Sequence, residues 1–324
     1  MKKIVMIRRT GLGDFIAGTV PICNYLEKIH GKCEFHFFMK KHNSFLVKYF
    51  FPDAHVYHIP SGNKYIQTLK TALQNAHIKP DIGFSPMPDY PKLNSLFLRL
   101  IGAKERYGRV TNSMFTQYFN HPYHCKDTSD LYNMSVGLCS LKYYDQTLSK
   151  IPQDCYPKFI QSLIAKHSLP ETTLPKIMVE VSNNRPTSQL CQEKTATILN
   201  VLAQKFNFSV LITAKEKDYD KALSLKSNLN PHTTIFTTPN FDEFLSYVNA
   251  ADIVLCGDGG LGHIAGALSK KVVALYGKTS IAHWGIIGDE VLHLYDEQDV
   301  NNISNSQIIN TLSSYLTAIN NPIK

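Results

Sequence analysis

Short, almost wholly apolar runs recur along the chain, each closed by a turn residue and followed by a stretch whose apolar positions repeat at three- and four-residue spacing. In the first half this predicts a strand near 2–8, a helix near 15–29, strands at Glu34-Phe35-His36-Phe37-Phe38 and His55-Val56-Tyr57-His58-Ile59, and a helix near 63–76. A strand at 81–85 and a helix at 93–101 follow, then a long aromatic and polar connection and a helix over 128–141. Apolar runs of this length suit strands buried on both faces, and their alternation with helices is the signature of a mainly parallel sheet.

Prolines 152, 157, 170 and 175 surround an expected helix at 158–167 and mark 151–175 as the linker between a first domain over 1–150 and a second over 176–324. Beyond it the pattern restarts. Strands near 176–181, 208–213, 233–236, 252–256 and 271–276 alternate with helices near 193–206, 218–228, 241–250 and 260–269, with Asn240 and either Thr187 or Ser188 as expected N-caps. The fold class is therefore α/β, two Rossmann-like doubly wound domains. Such domains bind ligands at the carboxyl ends of their strands, here expected to face across a cleft.

With 324 residues, 44% of them hydrophobic, each half has enough material for its own core. No run approaches the roughly 18 apolar residues of a membrane span. Met1-Lys2-Lys3 leads straight into a strand, so the expected location is the cytoplasm, with room for a peripheral contact at the inner face of the inner membrane. The seven cysteines are scattered and read as reduced and structural. A net charge of +8 favours an anionic partner, yet no nucleic-acid-binding pattern is present and none is expected as partner.

The chemistry concentrates in 258–279. Ile253-Val254-Leu255-Cys256 reads as a buried strand, and Gly257, Gly259, Gly260 and Gly262 would let backbone N–H groups approach a ligand. The helix after them, with Leu261, Ile264, Ala265 and Leu268 on its apolar stripe, aims its positive end at the same point. Gly277-Lys278-Thr279 closes the next strand. A nucleotide diphosphate fits this arrangement. The first strand ends in Arg8-Arg9-Thr10-Gly11-Leu12-Gly13-Asp14, which fails as a dinucleotide fingerprint because the third glycine, Gly18, comes too late. Gly277-Lys278-Thr279 fails as a P-loop, since Val272 stands at its first glycine. At a helix start Asp14 is either a cap or a general base.

Arg8, Gly13-Asp14 and Pro21, together with Asp258, Gly260, His263, Ala265, Gly277, Thr279 and Trp284, resemble the pattern of the family-nine glycosyltransferases, whose best-known members are ADP-heptose:lipopolysaccharide heptosyltransferases. The likeness runs through Leu100–Gly108 as well. It implies a GT-B fold and an inverting sugar transfer, with Asp14 taking the acceptor's proton. The first domain would bind an anionic glycan or glycolipid acceptor, with Arg8, Gly11, Gly13 and Arg106 as contacts. The second would bind the nucleotide sugar, expected to be ADP-heptose, through Arg185, Glu216, Asp258, Gly259, Gly260, Leu261, His263, Lys278 and Thr279. No cofactor beyond this co-substrate is expected. Asp258 would contact the transferred sugar or cap its helix; His263 would bond the donor or brace the turn; Thr279 would meet phosphate or cap the next turn; Trp284 would pack or touch the donor.

Four features depart from the family pattern. Gly259 stands where Ser or Thr is usual, and six residues rather than five separate Asp14 from Pro21. The basic residue expected after the first strand of the second half has no clean counterpart in Val181–Pro186, where Arg185 is the substitute. The acidic residue that reads the ribose is either Glu216 or Asp218. Asp218-Tyr219-Asp220 matches a metal-binding Asp-x-Asp, but at a helix start acidic residues suit the dipole, and the histidines show no ligand spacing, so no metal site is expected. The competing readings are a noncatalytic sugar-nucleotide-binding protein and another nucleotide-dependent enzyme, such as an oxidoreductase or epimerase.

Overall fold

The computed structural model describes residues 1–9, 11–88, 90–125, 128–165, 173–237 and 240–320. The chain divides into two units, Met1–Pro157 and Lys158–Lys324. In the first, β1 (Lys3–Arg8), β2 (Glu34–Met39), β3 (His55–His58), β4 (Ile82–Phe84), β5 (Glu105–Arg109) and β6 (His121–Tyr123) form one sheet in the order β3-β2-β1-β4-β5-β6. In the second, β7 (Lys176–Glu180), β8 (Ser209–Thr213), β9 (Thr233–Phe236), β10 (Ile253–Gly257), β11 (Lys271–Tyr276) and β12 (Val291–Tyr295) run β12-β11-β10-β7-β8-β9. Every neighbouring pair is parallel. The expected α/β class, two doubly wound sheets, is the observed one.

Each sheet has a point where its winding reverses, between β1 and β4 in one and between β7 and β10 in the other. There the strand-end loops part in opposite directions and leave a crevice at the carboxyl edge. The central strands around both points are buried along their middles, with Ile4, Val5 and Met6 in β1 and Ile253 and Val254 in β10 wholly excluded from solvent.

Several elements differ from expectation. The segment read as a long connection contains β5 and β6, and the region after β11 adds β12 and the helix Asn305–Asn320. The helix expected over 158–167 is reduced to a 3-10 turn at Gln161–Leu163, with residues 166 and 167 outside the described set. Its backbone is committed elsewhere, the Phe159 N–H donating to the Ala267 carbonyl at 3.0 Å. The helix expected over 128–141 is two, Thr128–Tyr132 and Val136–Lys142, because Ser135 caps the second by accepting from the Leu138 N–H. Asn240 caps Phe241–Ala250 as expected. Thr187 and Ser188 do not cap the helix Gln192–Ala203: they lie in a 3-10 turn, and Cys191 holds the N-cap place.

Candidate functional site

In the second unit the loops after β7, β8, β10 and β11 meet at the β7/β10 reversal. Asp258, only 5% exposed, is fixed through its backbone: its N–H donates to the Leu275 carbonyl at 3.1 Å and its carbonyl accepts from Asn183 Nδ2 at 3.0 Å. Its carboxylate pairs with Arg185 Nη1, and the same nitrogen donates to Thr279 Oγ1 at 3.4 Å. Arg185 keeps 60% of its side chain exposed. It thus joins the ends of β7, β10 and β11 while offering a cationic face to solvent.

Asp258 does not cap its helix. Gly259 is the N-cap of Gly260–Ala267, and having no side chain it leaves the first N–H groups of that helix to another acceptor. Gly259 is fully extended (φ 177°, ψ 178°), a backbone any residue adopts. Gly257 and Gly277 serve the protein's own packing rather than a ligand: a Cβ at 257 would lie 1.7 Å from the Ser188 carbonyl oxygen, and one at 277 would lie 2.6 Å from that of Thr187. They let the turn Pro186–Ser188, and with it Arg185, sit down on the sheet end.

His263 is buried within the helix, while Lys278 and Glu216 are exposed on their loops. Asp218 is committed to its own surroundings, since Lys221 Nζ lies 2.6 Å from its carboxylate and holds its pKa below the ordinary range, with Ser182 assisting. Asp220 falls in the first turn of Tyr219–Ser227, where negative charge suits the dipole. Ser280, not Thr279, caps the short helix Ile281–Trp284, and the half-buried Trp284 has its carbonyl held by Tyr276 Oη at 3.1 Å.

In the first unit Asp14 stands on the loop after β1. Its carboxylate accepts from the Gly11 N–H at 2.8 Å, and its carbonyl accepts from Arg8 Nη2 at 2.8 Å. Gly13 lies in the same short helix, Leu12–Asp14. The extra residue before Pro21 is taken up by a π turn, Phe15–Thr19, wider than an α turn, which leaves Pro21 in the first turn of Val20–His30.

Two expected acceptor contacts are differently placed. Arg8 is 1% exposed and donates to Thr19 Oγ1, to the carbonyls of Met87 and Pro88, and to Asp14, so it braces the β1/β4 reversal from beneath. Arg106 donates to the carbonyls of Ala103, Lys104 and Tyr118, and burial lowers its pKa; it ties down a loop. Beside Arg8 stands a second buried arginine, not singled out from the sequence. Arg9 is buried, donates from Nε to Asn94 Oδ1 at 3.3 Å, and has no partner for Nη2 among the described residues, with burial lowering its pKa to about 10. Also in this unit, Lys64, Tyr65, Tyr90, Lys92, Leu93 and Thr111 line a cavity of about 770 Å³.

The histidines form one grouping that their linear spacing does not show. Across adjacent strands, Glu34, His36 and His55 bring three metal-ligand atoms within 4.8 Å of one another. Residues 19 apart show nothing of this in linear spacing; strand register makes it.

Residues 192–311 match the model of glycosyltransferase family 9 (heptosyltransferase). The match lies wholly in the second half. The lipopolysaccharide heptosyltransferase 1 of Campylobacter coli is 23% identical over 296 residues, 86% of this chain and 84% of that protein. The fold is shared with the E. coli ADP-heptose lipopolysaccharide heptosyltransferase II, at a TM-score of 0.77 and 15% identity over 99% of this chain and all of that one. It is shared too with E. coli heptosyltransferase WaaC solved with ADP, at 0.72 and 12% identity over 97% and 99%. The expected family resemblance, the GT-B fold and the enzyme class hold together: the chain is a glycosyltransferase. No helix among the described residues is long and apolar enough to cross a membrane.

Proposed function

We propose that the protein is an inverting heptosyltransferase that moves heptose from ADP-heptose onto an anionic acceptor of the lipopolysaccharide core. The observation that carries this is the joining of Arg185, Asp258 and Thr279 beside a helix N-terminus that has no side-chain cap. Backbone N–H groups of Gly260 and Leu261, the helix dipole and the guanidinium of Arg185 would hold the diphosphate, and Lys278 is near in sequence to assist. Arg185 is thereby the basic residue that the family pattern requires. Asp258, locked at its backbone, presents its carboxylate to the sugar. With Asp218 committed to Lys221, the exposed Glu216 is our choice for the ribose hydroxyls.

Asp14 takes the proton of the acceptor hydroxyl as that oxygen attacks the anomeric carbon, and the sugar–phosphate bond breaks with its electrons passing to ADP. The Gly11 N–H orients the carboxylate, and Arg8 fixes its backbone from below. Arg9, whose Nη2 has no partner among the described residues, and the lysine- and tyrosine-lined cavity supply cationic and stacking surface for an anionic glycan. The test is ADP release from ADP-heptose with and without a heptose-free inner-core acceptor, with the product mass read in parallel. Acceptor-dependent release and a heptosylated product are expected. Tight ADP-heptose binding without release on any acceptor would turn the reading to a noncatalytic binding protein.

A further inference from the structure

The amino ends of β2 and β3 carry a constellation that sugar transfer does not use. Glu34 and His36 are two residues apart on β2 and so share a face, and His55 on β3 is the register partner of His36. The next residues on that face, Phe38 and Tyr57, stack at 4.6 Å and enter the core, so the two strands are fixed against each other immediately beneath the polar group. Glu34 Oε1 lies 3.0 Å from His36 Nε2 and 3.7 Å from His55 Nε2. Bonds of about 2.0–2.1 Å in a tetrahedral site place neighbouring ligand atoms about 3.3–3.4 Å apart, between those two values. The other ring nitrogen of His36, Nδ1, meets Tyr57 Oη at 3.2 Å, which leaves Nε2 turned toward Glu34 and His55.

We propose that Glu34, His36 and His55 form a zinc site that clips the edge strand β3 to β2. Two imidazoles and one carboxylate suit Zn²⁺, and His55, 54% exposed, leaves the fourth position open to water and gives the ion a path in. The site lies at the strand ends opposite to those that carry Asp14, so its occupancy is independent of the sugar-transfer chemistry.

The experiment titrates the full chain, stripped with EDTA and desalted, with Zn²⁺ by calorimetry, and with Co²⁺ as a spectroscopic probe. One equivalent should bind, raise the melting temperature, and give a Co²⁺ spectrum of nitrogen and oxygen ligation without thiolate charge-transfer bands. His55→Ala and Glu34→Gln alter partly exposed side chains and should fold; each should weaken Zn²⁺ binding more than about tenfold and abolish the thermal shift. Absence of Zn²⁺ binding, affinity unchanged in both variants, or thiolate bands in the Co²⁺ spectrum would overturn the assignment.

Discussion

In the proposed donor site the decisive contacts belong to single side chains. Replacing Arg185 by Ala would leave the buried Asp258 carboxylate without its cation. Because Arg185 is largely exposed, the stability cost should be about 1 kcal/mol or less. The loss should fall on function, as a decrease of more than about tenfold in ADP affinity by calorimetry, since a charge-assisted contact to the diphosphate is gone. Gly259→Ser should act in the opposite sense. The extended backbone accepts a side chain, the nearest atom to its Cβ being Asn183 Nδ2 at 3.4 Å, and a serine hydroxyl at this N-cap adds a phosphate donor. Tighter ADP binding at unchanged melting temperature is the expected result. Arg185, Asp258 and Thr279, which the structure brings together, could be picked out in the sequence because each follows a readable strand. The fates of Arg8 and Arg106 were not. Whether an arginine faces ligand or braces backbone depends on carbonyls from distant segments, Met87 and Pro88 for one and Tyr118 for the other. Asn183 and Arg9 were missed for the same reason, since their roles arise only when loops from separated strands meet.

The element that matters most is the π turn leading from Asp14 into the first long helix. It needs Gly18: a Cβ there would come within 2.3 Å of the Met87 carbonyl oxygen and 2.8 Å of Arg8 Nη2, the nitrogen that holds the Asp14 carbonyl. Gly18→Ala should therefore cost about 1–3 kcal/mol in urea unfolding, as overpacking does, and lower turnover beyond what the stability loss explains, with ADP affinity of the second unit unchanged. The extra residue before Pro21 was visible in the sequence, but its absorption by a wider turn was not. Buried central strands were read correctly because their apolar runs are uninterrupted. β5, with Glu105, Arg106 and Arg109, and β6, with Pro122, escaped because charge and proline break the apolar pattern of short strands near a sheet edge. The helix Asn305–Asn320 buries Ile308, Leu312 and Leu316 at four-residue spacing, a signal present in the sequence and passed over.

At the scale of the whole molecule, alternation of strand and helix was enough to read two doubly wound sheets, while the metal-ligand cluster at Glu34, His36 and His55 needed the sheet register. On the proposed function, leaving-group charge is met by backbone N–H groups, a helix dipole and Arg185, so sugar transfer should persist in excess EDTA, whereas the melting temperature should fall as the zinc clip empties. Assays of both quantities on one EDTA-treated sample separate the two roles; transfer that vanished with EDTA and returned with Mg²⁺ would move a metal into the donor site. The central claim, that Asp14 is the base of a heptosyl transfer, is tested most directly by turnover and ADP-heptose affinity in Asp14→Asn. Asn still offers an oxygen to the Gly11 N–H, so the loop should keep its shape. The account predicts unchanged donor affinity with turnover lowered at least about a hundredfold; wild-type turnover in a folded Asp14→Asn protein would contradict it and leave Asp14 only as part of the helix cap.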